Sequence, residues 1–171
     1  EITRDVARAL EFAHEKNLVH RNILPSNIMV RDEDRQAKLG DLMLARALDA
    51  ADSEKVTKAG EVVGNVSFMA PEQLTGDIPP NPRIDIYSLG ATVYAMLTGR
   101  PPFESESSLE LLRLVLNSNP DPPTKYNLSI PPLMVDLVMR MLAKNPRDRY
   151  ESMTSVISDL ERVAKFSGGV V

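Results

Sequence analysis

His20-Arg21-Asn22-Ile23-Leu24-Pro25-Ser26-Asn27, running straight into Ile28-Met29-Val30, is the stretch on which the reading of this chain turns. A polar loop delivers into a short apolar strand. At its third position the amide of Asn22 is essentially non-basic and cannot take up a proton as a carboxylate would. Gln36-Ala37-Lys38-Leu39 reads as a second strand across the polar turn Arg31-Asp32-Glu33-Asp34-Arg35, so a hairpin is predicted.

Helices flank this hairpin. Ile2, Val6, Ala9, Leu10 and Ala13 recur on one helical face, giving a first helix that ends near Lys16-Asn17. From Arg46 to Gly64 the periodicity dissolves, which predicts a long loop. Asp85 to Thr98 is apolar almost all round and predicts a central buried helix, stopped by Gly99-Arg100-Pro101-Pro102. A further helix is predicted over Leu109 to Leu116. Five of the 13 prolines then crowd Asn119 to Pro132, too densely for regular helix. Pro131 and Pro132 suit the first turn of a helix running to about Lys144, with Asp136 and Arg140 on its wet face. Met153, Val156, Ile157, Leu160 and Val163 mark a last amphipathic helix before Gly168-Gly169.

Composition narrows the possibilities. With 171 residues, 43% hydrophobic and 26% charged, the chain is enough for one domain with a core. A net charge of −4 argues against a nucleic-acid partner, since phosphate binding needs clustered cations. There is no cysteine, hence no disulfide framework and no thiolate metal site, which fits a reducing, cytoplasmic setting. No apolar run approaches the roughly 20 residues of a membrane span. The chain opens at Glu1, without an initiator methionine and inside an amphipathic pattern, so it is expected to be part of something longer.

Four motifs in order resemble the C-terminal lobe of a serine/threonine protein kinase of bacterial type, across nearly the whole chain. The opening loop stands where that family has H-R-D-x-x-x-x-N. Leu39-Gly40-Asp41-Leu42-Met43 stands at D-F-G, and Phe68-Met69-Ala70-Pro71-Glu72 at A-P-E. Asp85-Ile86-Tyr87-Ser88-Leu89-Gly90 opens the buried helix, and Asn145-Pro146-Arg147-Asp148-Arg149 supplies a late arginine. The resemblance implies a mainly α, kinase-like C-lobe with a short β-hairpin and the N-lobe absent. Residues 1–171 would form a partial kinase-like domain whose activation segment spans about 41–72.

The departures cluster at the reaction centre. Asn22 occupies the position of the family's base, and Leu24 that of the lysine beside the transferring phosphoryl group; both are expected to be non-functional. Asn65 replaces a threonine that helps hold them, and Met43 replaces the glycine of D-F-G. Only 19 residues precede His20, and they hold no G-x-G-x-x-G loop and no V-A-I-K lysine. Asn27 and Asp41 stand at the family's magnesium positions. ATP and magnesium are implied by the family, yet neither is expected to bind tightly to this chain alone.

The remaining residues read as scaffold. By resemblance, Asp85 accepts backbone N–H bonds from the catalytic loop, and Glu72 pairs with Arg149. His20 is a packed core histidine and Arg21 can bind a phosphorylated activation loop, for which Ser53 and Thr57 are acceptor candidates. His14 is read as plain surface and the methionines as core filler. The leading expectation is a catalytically silent pseudokinase segment binding a protein partner, with Leu109, Leu112 and Val115 contributing an apolar patch. One alternative is an ATP-dependent serine/threonine kinase whose N-lobe lies outside this chain. The other is a truncated, decayed kinase product without activity.

Overall fold

The computed structural model describes residues 1–41, 66–76, 79 and 81–166. The long loop from Arg46 to Gly64, together with Met43, Ser53, Thr57, Asn65 and Gly168-Gly169, lies outside the described residues. Helices dominate what is described, with one two-stranded antiparallel hairpin.

Helix α1 (Ile2–Glu15) buries Val6, Ala7, Leu10 and Ala13. Ala9, assigned to the inner face from sequence, is exposed, and Ala7 takes its place. At about 100° per residue, a stripe centred on Leu10 takes in Val6, Ala7, Ala13 and also His14, but leaves Ala9 on the flank. The helix ends as the sequence predicts. Asn17 adopts φ 57°, its N–H bonds to the His14 carbonyl, and the Leu18 N–H reaches back to Ala13. This left-handed cap reverses the chain toward His20.

Strands β1 (Ile28–Val30) and β2 (Ala37–Leu39) pair Ile28 with Leu39, Met29 with Lys38 and Val30 with Ala37. Asp5 of α1 accepts the Ala37 N–H at 3.2 Å, which ties the hairpin to the first helix. The Arg31 guanidinium grips Asp34 twice and Gln36 once across the turn. Such an exposed pair adds little stability.

After the short helix α2 (Pro71–Thr75) comes α3 (Pro82–Thr98), the axis of the fold. The Asn81 side chain caps it by accepting the Arg83 N–H at 2.9 Å, and Pro82 occupies the first turn. Every residue from Ile84 to Tyr94 is buried, so the helix needs no polar face over that length. Helix α4 (Ser108–Asn117) is capped by Ser107. Helix α5 (Pro132–Met141) packs on α3 so closely that a Cβ added at Gly90 would lie 2.6 Å from Met141 Cβ. Helix α6 (Met153–Phe166) closes the fold against α1 and α5.

Two sequence expectations need correction here. Helix α5 stops at Met141, three residues short of Lys144, because Arg149 takes the Ala143 and Lys144 carbonyls and Pro146 cannot continue a helix. Among the methionines, Met134, Met141 and Met153 fill the core, but Met29 and Met96 are 60% and 45% exposed.

The main core gathers α1, α3, α5 and α6 around Leu10, Tyr87, Leu89, Val138 and Met141. A satellite cluster of Val66, Phe103, Leu111 and Val115 packs α4 against the segment ahead of α2. Val115 is therefore fully buried and cannot belong to an exposed apolar patch; of the three residues proposed from sequence, only Leu109 is well exposed.

Candidate active site and its scaffold

Residues 20–27 form a loop whose backbone is pinned from four directions. Asp85, fully buried near the start of α3, accepts the His20 N–H and the Arg21 N–H, each at 2.8 Å. The Arg21 carbonyl accepts from the Gln73 side chain at 3.1 Å. Ile23 drops into the main core, and the Thr92 hydroxyl, bonded chiefly to the Ser88 carbonyl, reaches the Ile23 carbonyl at 3.4 Å. Asn27 Nδ2 donates to the Asn22 carbonyl at 2.9 Å, closing the loop on itself.

His20 supplies the fourth tie. Its Nε2 lies 2.8 Å from the Gly40 carbonyl, which can only accept, so Nε2 carries the proton. Nδ1 is then bare and faces the Asn22 N–H at 3.4 Å. The ring thus links the loop to the end of β2. With 1% of its surface exposed, His20 sits in the interior as a hydrogen-bonding strut.

Arg21 adopts φ 66° and Asp41 φ 61°, left-handed conformations that a residue with a Cβ adopts only when its surroundings enforce them. The Asp85 bond to the Arg21 amide is part of that enforcement. Asn22 and Leu24 flank buried Ile23, each half-buried, and Leu24 is extended as a residue before proline must be. Among the described residues, the hydrogen bonds of Asn22 run through its backbone. Gly40 donates its N–H to the Asn27 carbonyl at 2.8 Å, so Asn27 and Asp41 lie on adjoining segments. Asn27 spends its Nδ2 on the Asn22 carbonyl, and its Oδ1 keeps the lone pairs of an oxygen donor.

A second constellation lies behind the loop. Arg149, 2% exposed, uses all five of its N–H groups. Nη1 and Nη2 form a two-pronged pair with Glu72 at 2.6 and 2.8 Å. Nε donates to Ala143, Nη1 also to Arg83 and Nη2 also to Lys144, all at backbone carbonyls. One side chain thereby joins α2, the first turn of α3 and the end of α5. Tyr87 stacks its ring 4.9 Å from the guanidinium, and burial holds its phenol well above the usual range.

Sequence reasoning missed three participants. Gln73 caps α2 by accepting the Ala70 N–H at 3.0 Å while donating to Arg21, a double use that no motif announces. His14, read as plain surface, donates Nε2–H to Asp85 at 2.8 Å, and its side chain is only 10% exposed. The helical period could have found it, since it lies four residues beyond buried Leu10. Lys144 was not singled out at all. Its ammonium donates to the Val115 carbonyl and lies 4.2 Å from the Phe103 ring.

Burial, reinforced by the Arg149 charge, pushes the Lys144 ammonium down to about 8 from 10.5. Between those values the unfolded chain binds more protons than the folded one, so stability rises with pH from about 8. The rise ends near pH 10, where unfolded tyrosines lose protons that folded Tyr94, raised to about 12, retains. Urea midpoints at pH 7.5, 8.5 and 9.5 are expected to climb in the parent and stay flat in Lys144→Met. A climb of equal size in both proteins would remove Lys144 as the cause.

Known proteins place this arrangement. The family model described as protein kinase domain matches residues 1–159. The chain is 37% identical over 163 residues to the serine/threonine-protein kinase PknB of Mycobacterium leprae, covering 95% of this chain and 26% of that protein. It is 36% identical over 164 residues to a probable serine/threonine-protein kinase of Corynebacterium efficiens, covering 94% and 24% respectively. A probable serine/threonine-protein kinase of Clostridium acetobutylicum is 34% identical over 158 residues, covering 92% and 23%. The chain spans about a quarter of the length of the curated relatives it matches. It belongs to the protein kinase domain family, among the bacterial serine/threonine type.

Proposed function

We propose that this chain is the phosphotransfer-silent C-lobe of a kinase-like domain, acting in protein interaction or regulation as a pseudokinase. The observation that carries the reading is Asn22, an amide at the base position of a loop that is otherwise tied down at every turn. An amide cannot accept the proton of an attacking hydroxyl, and loss of a positioned base costs about 10²–10⁴-fold. Leu24 removes a cation from the transferring group at a further cost of roughly 3–4 kcal/mol. Because the scaffold persists, the change is one of chemistry and leaves the architecture standing.

Asn27 Oδ1 and the Asp41 carboxylate are hard oxygen donors of the kind magnesium takes, with nucleotide phosphates completing the sphere. In this reading they would hold the ion, which supplies charge neutralisation to bound phosphates. The two oxygens alone make a weak site, so ATP and magnesium would bind only with an N-lobe in place. Retention of this donor pair favours, as a second reading, a weakly active ATP-dependent serine/threonine kinase completed by an N-lobe. The partner is that N-lobe or another protein, and exposed Leu109 at the start of α4 offers an apolar contact. Among the described residues no helix is long and apolar enough to cross a membrane. A cytoplasmic site of action belongs to the proposal.

The test is transfer of radiolabelled phosphate from ATP to protein substrate in the full-length context. The parent is expected at background, and Asn22→Asp with Leu24→Lys about 10²-fold or more above it. Turnover by the parent within the ordinary kinase range of about 1–100 per second would overturn the silent reading.

A further inference from the structure

We propose that Gln73 is a positioning residue through which helix α2 sets the orientation of Asn22. Its side chain is engaged at both ends. Oε1 accepts the Ala70 N–H at 3.0 Å, and the Gln73 N–H returns a bond to the Ala70 carbonyl at 2.9 Å. With Oε1 so fixed, the planar amide directs Nε2 at the loop, where it donates to the Arg21 carbonyl at 3.1 Å. That carbonyl belongs to the same rigid peptide group as the Asn22 N–H, which faces His20 Nδ1. A hold on the one is therefore a hold on the other.

Residue type carries the inference. At the third position of a helix, glutamate and glutamine can both cap the N-terminus by accepting a backbone N–H. An ionised carboxylate has no donor, however, and would set an anion against the Arg21 carbonyl. The amide caps α2 and grips the loop with one side chain. Rigid structure backs the grip, because neighbouring Glu72 is locked to Arg149 at 2.6 and 2.8 Å. Arg149, Glu72, Gln73, Arg21 and Asn22 thus form one continuous path from the end of α5 to the loop. Arg21 needs such support, since its φ of 66° is held against a steric preference. A shift of α2 would turn the Arg21–Asn22 peptide, and with it the side chain at position 22. The consequence for phosphate transfer rests on the reading of Asn22 as the base position; the contact itself does not.

The experiment is nuclear magnetic resonance at pH 7 on the 171-residue chain, comparing parent, Gln73→Glu and Gln73→Leu. Exchange of the Ala70 N–H reports the cap. Exchange of the Arg21 N–H, with the Arg21 carbonyl carbon shift, reports the grip. Exchange rates are read against Val156 and Val163 in α6, which report global opening. In Gln73→Glu the Ala70 N–H is expected to keep its protection while the Arg21 N–H exchanges about fivefold faster or more and its carbonyl shift moves. Gln73→Leu is expected to lose both. Unchanged Arg21 signals in the glutamate variant would overturn the proposal. Loss at Ala70 equal to that at Arg21 in the same variant would also overturn it, by reducing Gln73 to a helix cap. Should neither variant fold, the parent decides: Gln73 side-chain NH₂ protons exchanging as fast as those of exposed Gln36 would show that no bond to Arg21 exists. Slower exchange at Gln73 would support it. These signals come from the parent loop and not from turnover, so they stand or fall apart from the phosphate-transfer assay.

Discussion

Arg149→Met is expected to lower the unfolding free energy by about 3–5 kcal/mol, the range found when one partner of a buried ion pair is removed. Methionine keeps much of the stem's bulk, so the loss isolates the polar head. Glu72, 5% exposed, would be left as a buried carboxylate with neither prong of its partner. The carbonyls of Ala143, Arg83 and Lys144 would lose their donor in the same stroke. Urea denaturation followed by far-ultraviolet circular dichroism measures the change. Pairing Arg149→Met with Glu72→Met separates the two contributions. Removing both charges relieves the stranded carboxylate but not the three carbonyls, so the double variant is expected to recover only part of the loss. Full recovery would show that the backbone bonds contribute nothing; a loss below about 1 kcal/mol in the single variant would deny the junction any structural role.

Asp85→Ala is the second large effect. It removes the carboxylate that two backbone N–H groups and the His14 ring N–H share as their acceptor. At about 1–3 kcal/mol for each unsatisfied donor, the sum approaches the whole stability of an ordinary domain, roughly 5–15 kcal/mol. The variant is expected to be cleaved by dilute protease far faster than the parent, and faster than Glu72→Ala. Asp85→Asn is a gentler probe. Its amide keeps one acceptor for the Arg21 N–H but turns an NH₂ toward the remaining donors, so an intermediate cleavage rate is expected. Parent-like resistance in both Asp85 variants would show that the loop is held by other means.

Both positions entered the sequence reading through resemblance to a family. Glu72 and Arg149 lie 77 residues apart, and only resemblance to a family paired them. Nothing in their local pattern distinguishes them from surface charges. The helices were more legible. Asn81-Pro82 and Gly99 bracket α3 by capping chemistry, and Asn17 ends α1, because these signals act over a few residues. The errors arose where a local period had to stand for a three-dimensional face. Ala9 and His14 were exchanged between inside and outside by a modest rotation of the stripe on α1. Val115 was placed on an exposed patch because its neighbours Phe103 and Val66 cannot be inferred from the spacing of α4.

What sequence by itself determines is the chemical character of the loop. Asn22 has no basic lone pair and Leu24 no charge in any fold, and the order of helices follows from short-range spacing and caps. Tertiary structure alone decides which buried polar groups meet. Asp85 collects donors from α1 and the loop, and Arg149 collects acceptors from three separate segments. A buried donor or acceptor must be satisfied somewhere, but sequence does not say by which distant residue; only the packing of helices brings the partners within hydrogen-bond reach.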